Sequence, residues 1–225
     1  GISDTCKKIK LKDHPNSPTP IIAGNVSFYN ESKSGSIPPS PIVSCLGKIN
    51  DISNVTTMSF KSPGSKIFMI GKRKDELGGS LYYSLHKELG ANVPDPNIDE
   101  VKNQIYAITD SIDSNLINAC HDISDGGVAV TLSEMTFENN IGCSVNIPGK
   151  LSFEKLLFSE TGGFIIEVID SNVDEIKKIF QSYNLEIDLI GGTTKEKYIK
   201  INDKIDLNTE EAKKLWLNGL RDKIK

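Results

Sequence analysis

The sequence predicts a mixed α/β (α+β) fold, because helices and strands are interspersed along it. Apolar residues recur at helical spacing over 99–114, 125–138 and 172–183. Short runs rich in β-branched residues stand between them, CSVNI at 143–147 and FIIEVI at 164–169. Across 225 residues, 37% are hydrophobic and 25% charged, the balance of a globular chain able to bury a sizeable core.

Residues 2–10 read as the end of a helix, and LKDHPNSPTP as a proline-broken loop. IIAGNVSFYN starts as a short apolar strand that breaks at Gly24. ESKSGSIPPSP is a second loop, and PIVSCLGKI a second strand. KIFMIG (66–71) does not alternate, so it predicts a strand buried on both faces. The segment 78–90 predicts a helix with Leu81, Leu85 and Leu89 inward and Gly90 as its stop. Helix 99–114 presents Val101, Ile105 and Ile108. Helix 125–138 presents Val128, Leu132 and Met135, with Ser124 or Asp125 as its N-cap. Helix 172–183 aligns Val173, Ile176 and Ile179. Strands in LEIDLIG and YIKIN and a helix from about Asn208 follow. A domain boundary is expected near 71–78, within GKRKDELGG, giving domains 1–71 and 72–225.

The net charge of −4 gives the surface no global attraction for nucleic acid or anionic membrane. No apolar run approaches the roughly 20 residues of a membrane helix. GISDTCKKIKLKD lacks the basic-then-apolar layout of a secretory signal, so a cytoplasmic location is expected. The four cysteines, at 6, 45, 120 and 143, have neither C-x-x-C nor zinc-site spacing and read as free thiols. His14, His86 and His121 are too few for a histidine-rich metal site.

Four segments carry chemistry. In GNVSFYNES (24–32), Gly24 lets backbone approach a ligand, Asn25 offers a hard oxygen suited to Mg²⁺, and Ser27 can donate to phosphate. The same residues also suit a plain β-turn. In HDISDGG (121–127), Asp122 and Asp125 share one short loop before a helix whose N-terminal N–H groups favour phosphate; an ordinary helix cap fits equally well. LFSETGG (157–163) holds Glu160 in a polar cluster that also reads as a turn. LGGS (77–80) is an anion-friendly helix start or a hinge. Neither a Walker-type loop nor G-x-G-x-x-G occurs.

In their order, GNVSFYNES, PIVSCLGKI, IFMIG, LGGS, HDISDGG and LFSE resemble the second half of one enzyme family. That family is the large, ATP-dependent synthetase subunits of phosphoribosylformylglycinamidine synthase, within the aminoimidazole ribonucleotide synthetase-like superfamily. The resemblance covers nearly the whole chain, and GNVSFYNES and HDISDGG are particular to that enzyme within the superfamily. It implies that 1–71 is the latter part of an N-terminal-type, barrel-forming domain and 72–225 a C-terminal-type layered α/β domain. The implied reaction joins ATP, formylglycinamide ribonucleotide and ammonia into formylglycinamidine ribonucleotide, ADP and phosphate, in de novo purine biosynthesis. ATP and Mg²⁺ are the implied cofactors. The implied partners are the rest of the synthetase subunit, a glutaminase subunit that supplies ammonia from glutamine, and a small accessory subunit.

By the same resemblance Gly24 binds ATP, Asn25 is a Mg²⁺ ligand and Ser27 binds substrate. Asp122, Asp125 and Glu160 would line an auxiliary nucleotide and metal site. Relatives often carry an arginine after the FSE motif, where this chain has Gly163. The family's catalytic histidines lie in a first half that these residues do not match. The chain by itself is therefore expected to be inactive, and none of its residues is assigned as catalytic. Two alternatives are a non-catalytic nucleotide-binding or assembly module and a related small-molecule kinase or synthetase.

Overall fold

Helix α1 (Ile2–Lys8) opens the chain, with Asp4 in its first turn and Lys7 and Lys8 in its last, each sign favoured by the helix dipole. Its end is tied to the following loop, where Thr19 donates from N–H to Cys6 O (2.8 Å) and from Oγ1 to Ile9 O (2.7 Å). The computed structural model describes residues 1–11, 14–26, 28–49 and 51–219. The chain divides into two units, Gly1–Ser53 and Asn54–Lys225.

The strands of the first unit are β1 (Glu31–Ser32) and β2 (Gly35–Ser36), a short antiparallel hairpin. The strands expected in IIAGNVSFYN and PIVSCLGKI do not form among the described residues, and Ile22, Phe28, Ile42 and Leu46 are exposed. The physical reason is pairing. β propensity describes a side chain that fits a pleated surface, and a strand persists only against a neighbouring ladder.

The second unit holds β3 (Lys66–Ile70), α2 (Leu81–Leu85), α3 (Ile98–Asp113), β4 (Ala119–Asp122) and α4 (Gly127–Met135). It continues with β5 (Gly142–Val145), α5 (Phe153–Phe158), β6 (Phe164–Val168), α6 (Val173–Ser182), β7 (Ile187–Thr194), β8 (Tyr198–Ile201), β9 (Ile205–Asn208) and α7 (Thr209–Asn218). The strands form a seven-stranded sheet in the order β4-β6-β3-β7-β5-β8-β9. Every pairing is antiparallel except β5 with β8.

Successive side chains of β3 enter different cores, as the period of two requires. Ile67 and Met69 pack in one cluster with Val128, Leu132 and Met135 of α4, Leu157 of α5 and Ala212 of α7. Phe68 and Ile70 pack in the other with Ala107 and Ile108 of α3 and Ile176 and Phe180 of α6. The strand is thus sandwiched between helical layers, which is why KIFMI shows no polar alternation. At the neighbouring strand β6, the buried Glu167 carboxylate accepts from the N–H groups of Lys61 (2.7 Å) and Ser62 (3.0 Å), fixing the chain's approach to β3.

Several sequence expectations shift. Since β3 is central to the second unit, the boundary expected at 71–78 falls inside that unit rather than before it. The helix expected over 78–90 shrinks to α2, and Leu81, Leu85 and Leu89 are exposed. There the backbone bonds from Gly78 N to Asn92 O and from Gly79 N to Leu89 O (both 2.7 Å) close the segment into a compact loop that competes with helical bonding. In α3 the inward face centres on Gln104, Ala107, Ile108 and Ser111, with Val101 and Ile105 only partly covered. Strands β4 and β9 have no counterpart in the sequence reading.

Phe68 is fully buried, so Phe68→Ala should cost about 3–5 kcal/mol of unfolding free energy. Leu85 is 83% exposed, and Leu85→Ala should change it by no more than about 0.5 kcal/mol. Urea denaturation of both variants measures the contrast.

Candidate functional site

Strand register brings three chemistry-bearing segments to one end of the sheet. Ile70 at the end of β3 pairs with Phe164 at the start of β6, and Phe164 pairs with Asp122 at the end of β4. The loops that leave β3 and β4 and the loop that enters β6 therefore emerge together. They carry LGGS, HDISDGG and LFSETGG.

Glu160 joins the three. Its Oε1 accepts from Leu81 N at the start of α2 and from Gly126 N at the start of α4, both at 2.9 Å. The cap expected at Ser124 or Asp125 is absent. Gly126 takes the N-cap position with no side-chain cap bond, and a carboxylate distant in sequence satisfies its N–H. Ser80 caps α2, accepting from Tyr83 N at 3.3 Å while donating to Leu77 O at 2.6 Å. Tyr82 stacks on Phe158 with ring centroids 5.0 Å apart, holding α2 against α5. Gly127 has φ +67°, and a Cβ there would stand 2.5 Å from Leu157 O and 2.8 Å from Ser159 O. The second glycine of DGG is thus required by close backbone approach.

Beside Glu160 a second polar chain runs inward. Thr161 Oγ1 donates to Glu76 Oε2 at 2.6 Å and lies 2.7 Å from the buried Ser159 Oγ. Arg73 is buried and donates from Nη1 to Thr161 O (2.5 Å) and from Nη2 to Gly162 O (3.0 Å). Burial pulls its guanidinium down to about 10, and the neighbouring Glu76 carboxylate acts the other way, so Arg73 stays charged at neutral pH. At Gly163 a Cβ would strike Ile70 O and stand 2.9 Å from Arg73 Nη2. A cavity of about 290 Å³ opens next to this corner, walled by Lys74, Glu76, Asn97, Gln104 and Thr161 among others.

Asp122 is largely exposed, with Oδ1 3.1 Å from His121 Nδ1. Asp125 is exposed on the same loop. Among the described residues no group of three or more His, Cys, Asp or Glu side chains is arranged to hold a metal ion. Glu160 Oε1 accepts from two N–H donors, and Asp122 and Asp125 are the exposed carboxylates of the HDISDGG loop. That set suits Mg²⁺ only together with phosphate oxygens, its usual manner of binding. Gly24 and Asn25 lie in the first unit and are exposed, and apart from its chain neighbours no described residue comes within 4 Å of a Cβ built on Gly24. Ser27 lies outside the described residues. Sequence reasoning missed Arg73, Glu76, Glu134 and Trp216. The first two were masked by the charged run KRKDE, and the other two carried no local signal.

These features define a layered α/β domain with a polar loop cluster at one sheet end. The profile of the AIR synthase related protein C-terminal domain matches residues 62–204, and the chain belongs to that family. The phosphoribosylformylglycinamidine synthase subunit PurL of Methanothrix thermoacetophila is 41% identical over 100% of this chain and 30% of its own length. The subunit of the same name from Alkaliphilus metalliredigens is 31% identical over 98% of the chain and 30% of its own length. This chain thus spans about 30% of the curated relatives it matches. Among solved structures, Thermotoga maritima PurL complexed with FGAR superposes with a TM-score of 0.62 at 17% identity, over 72% of this chain and 30% of that one. The same protein complexed with ATP gives 0.58 at 17% identity, over 72% and 28%. PurLQS from Thermotoga maritima gives 0.58 at 17%, over 71% and 27%. At such identities the structures establish the shared fold.

Glu160→Ala removes the acceptor of two backbone donors and should lower stability by about 1–3 kcal/mol. Hydrogen exchange should show the Leu81 and Gly126 amides losing protection beyond the fall in global stability that the β3 amides report. Burial pushes the thiols of Cys120 and Cys143 up to about 12, with Asp122 adding to the effect at Cys120. Iodoacetamide at pH 8 should therefore label the exposed Cys45 in the folded chain and leave Cys120 and Cys143 unmodified, as read by peptide mass spectrometry.

Proposed function

We propose that this chain is part of a phosphoribosylformylglycinamidine synthase, the ATP- and ammonia-dependent ligase that makes formylglycinamidine ribonucleotide from formylglycinamide ribonucleotide. The observation that carries the reading is likeness to PurL subunits over essentially the whole chain. Residues up to Ser53 are read as the latter part of an N-terminal-type domain and the rest as a C-terminal-type domain. In the reaction the substrate amide oxygen takes the γ-phosphoryl group of ATP. Ammonia then adds at the amide carbon, and phosphate leaves carrying that oxygen. Catalysis of this kind rests on positioning and on charge stabilisation.

In this reading Gly24 lets the nucleotide approach the backbone, Asn25 gives an oxygen to Mg²⁺ and Ser27 binds the substrate. The metal would offset phosphate charge. Asp122 and Asp125 would hold a second nucleotide through a divalent cation. Glu160 supports that site as the clamp between its loops. The cytoplasm is the proposed location, glutamine the amide donor, and a glutaminase subunit with a small accessory subunit the proposed partners. PurLQS of Thermotoga maritima supports association with further subunits. No helix among the described residues is long and apolar enough to cross a membrane.

A second reading, a nucleotide-holding assembly module without turnover, is favoured by the loop cluster alone. Two measurements test these readings, the first for turnover by the isolated chain and the second for the nucleotide site that both invoke. The isolated chain should release no ADP with formylglycinamide ribonucleotide and ammonia, because the matched relatives are about three times longer. Substrate-dependent release would overturn the proposal that this chain lacks the catalytic groups. Calorimetry should show Mg²⁺-ADP binding to the chain and at least about tenfold weaker binding to Asp122→Ala. Equal affinity in both would reduce the HDISDGG loop to a helix start.

A further inference from the structure

A line of polar contacts runs from α7 to the HDISDGG loop. The Trp216 indole N–H donates to Glu134 Oε1 at 2.8 Å. The other oxygen, Glu134 Oε2, lies 2.9 Å from His121 Nε2, and His121 Nδ1 lies 3.1 Å from Asp122 Oδ1. The chemistry gives the first two contacts a direction. An indole N–H can only donate, and an ionised carboxylate can only accept, so Glu134 accepts from both Trp216 and the Nε2–H of His121. A ring held at Nε2 has its plane and rotamer fixed, which places Nδ1 3.1 Å from Asp122 Oδ1; because that carboxylate only accepts, Nδ1 holds it by donating, with a hydrogen on each ring nitrogen.

Burial shows which partner orients which. The His121 side chain is 12% exposed and that of Asp122 is 62% exposed. A solvent-facing carboxylate thus leans on an enclosed ring. Behind the ring, α7 is fastened to α4 and the turn after it. Lys213 Nζ donates to Phe137 O at 2.6 Å, and the Phe137 and Trp216 rings stand 5.7 Å apart at 54°.

We propose that Trp216, Glu134 and His121 are positioning residues for Asp122, so that helix α7 sets the direction in which this carboxylate is presented at the loop end of the sheet. The consequence for ligand binding rests on the nucleotide reading of that loop; the orienting relay itself does not. A carboxylate free to rotate binds a cation less tightly, and losing an outer partner weakens metal affinity about 10–100-fold.

The test uses Trp216→Phe, which keeps an aromatic ring beside Phe137 and removes the N–H. The ¹⁵N resonances of the His121 ring should shift in this variant and in Glu134→Gln, while the urea midpoint of Trp216→Phe stays near that of the parent chain. Mg²⁺-ADP affinity should fall about tenfold in Trp216→Phe. Unchanged ring resonances would overturn the relay. So would parental Mg²⁺-ADP affinity in Trp216→Phe when Asp122→Ala has lost it. If the parent chain binds no Mg²⁺-ADP, the nucleotide reading fails, and the ring resonances alone decide the relay: a shift sustains it and no shift removes it.

Discussion

Everything at the loop end of the sheet depends on the double burial of β3. Ile67 and Met69 belong to one core and Phe68 and Ile70 to the other, so a slip of one residue would exchange the contents of the two cores. Pairing on both sides removes the remaining freedom. The ladder with β6 is regular, and that with β7 carries an irregularity between Ile67 and Phe68. Once Ile70 is opposite Phe164 and Phe164 opposite Asp122, the three loops have one common exit. Their meeting is therefore a consequence of packing about a strand whose own residues take no part in binding.

Backbone groups at that exit would attract anions if left open. Helix starts expose N–H donors, and an unsatisfied buried donor costs about 1–3 kcal/mol. The chain supplies an internal anion instead, the Glu160 carboxylate, which serves both Leu81 and Gly126. Arg73 performs the converse task for carbonyls, donating to Thr161 O and Gly162 O in the turn before β6. The cluster is thus held together by charges of both signs directed at backbone. Asp122 and Asp125 are left facing solvent.

The α/β character of the chain was legible in the sequence because its signals are local. KIFMI lacks alternation, 172–183 is amphipathic, and Asn208 caps α7 by accepting from the N–H groups of Glu210 and Glu211. The segments LGGS, HDISDGG and LFSETGG could likewise be singled out, since glycine and small polar residues mark close approach. Their mutual contact could not, because register across non-adjacent strands is invisible in any single window. Leu81, Leu85 and Leu89 have the right spacing for a buried face, yet spacing shows only where apolar side chains align and not what covers them. The cap of α4 failed for a related reason: its acceptor, Glu160, lies 34 residues away. Strand β4 reads ACHD, with no β-branched residue, and forms because β6 needs a neighbour.

The charged run after β3 shows how burial and composition part company. Lys72, Arg73, Lys74, Asp75 and Glu76 read as a solvated linker, and Lys72 and Asp75 are indeed exposed. Arg73 is nevertheless inside, because the turn at Gly71 directs it toward the carbonyls of 161 and 162. Its guanidinium also crowds Gly163. A side chain at 163 would meet Ile70 O and the Arg73 guanidinium itself, so this corner accommodates one arginine and takes it from position 73. Glycine at 163 is thus required first by backbone, since a Cβ there would strike Ile70 O whatever residue occupies position 73.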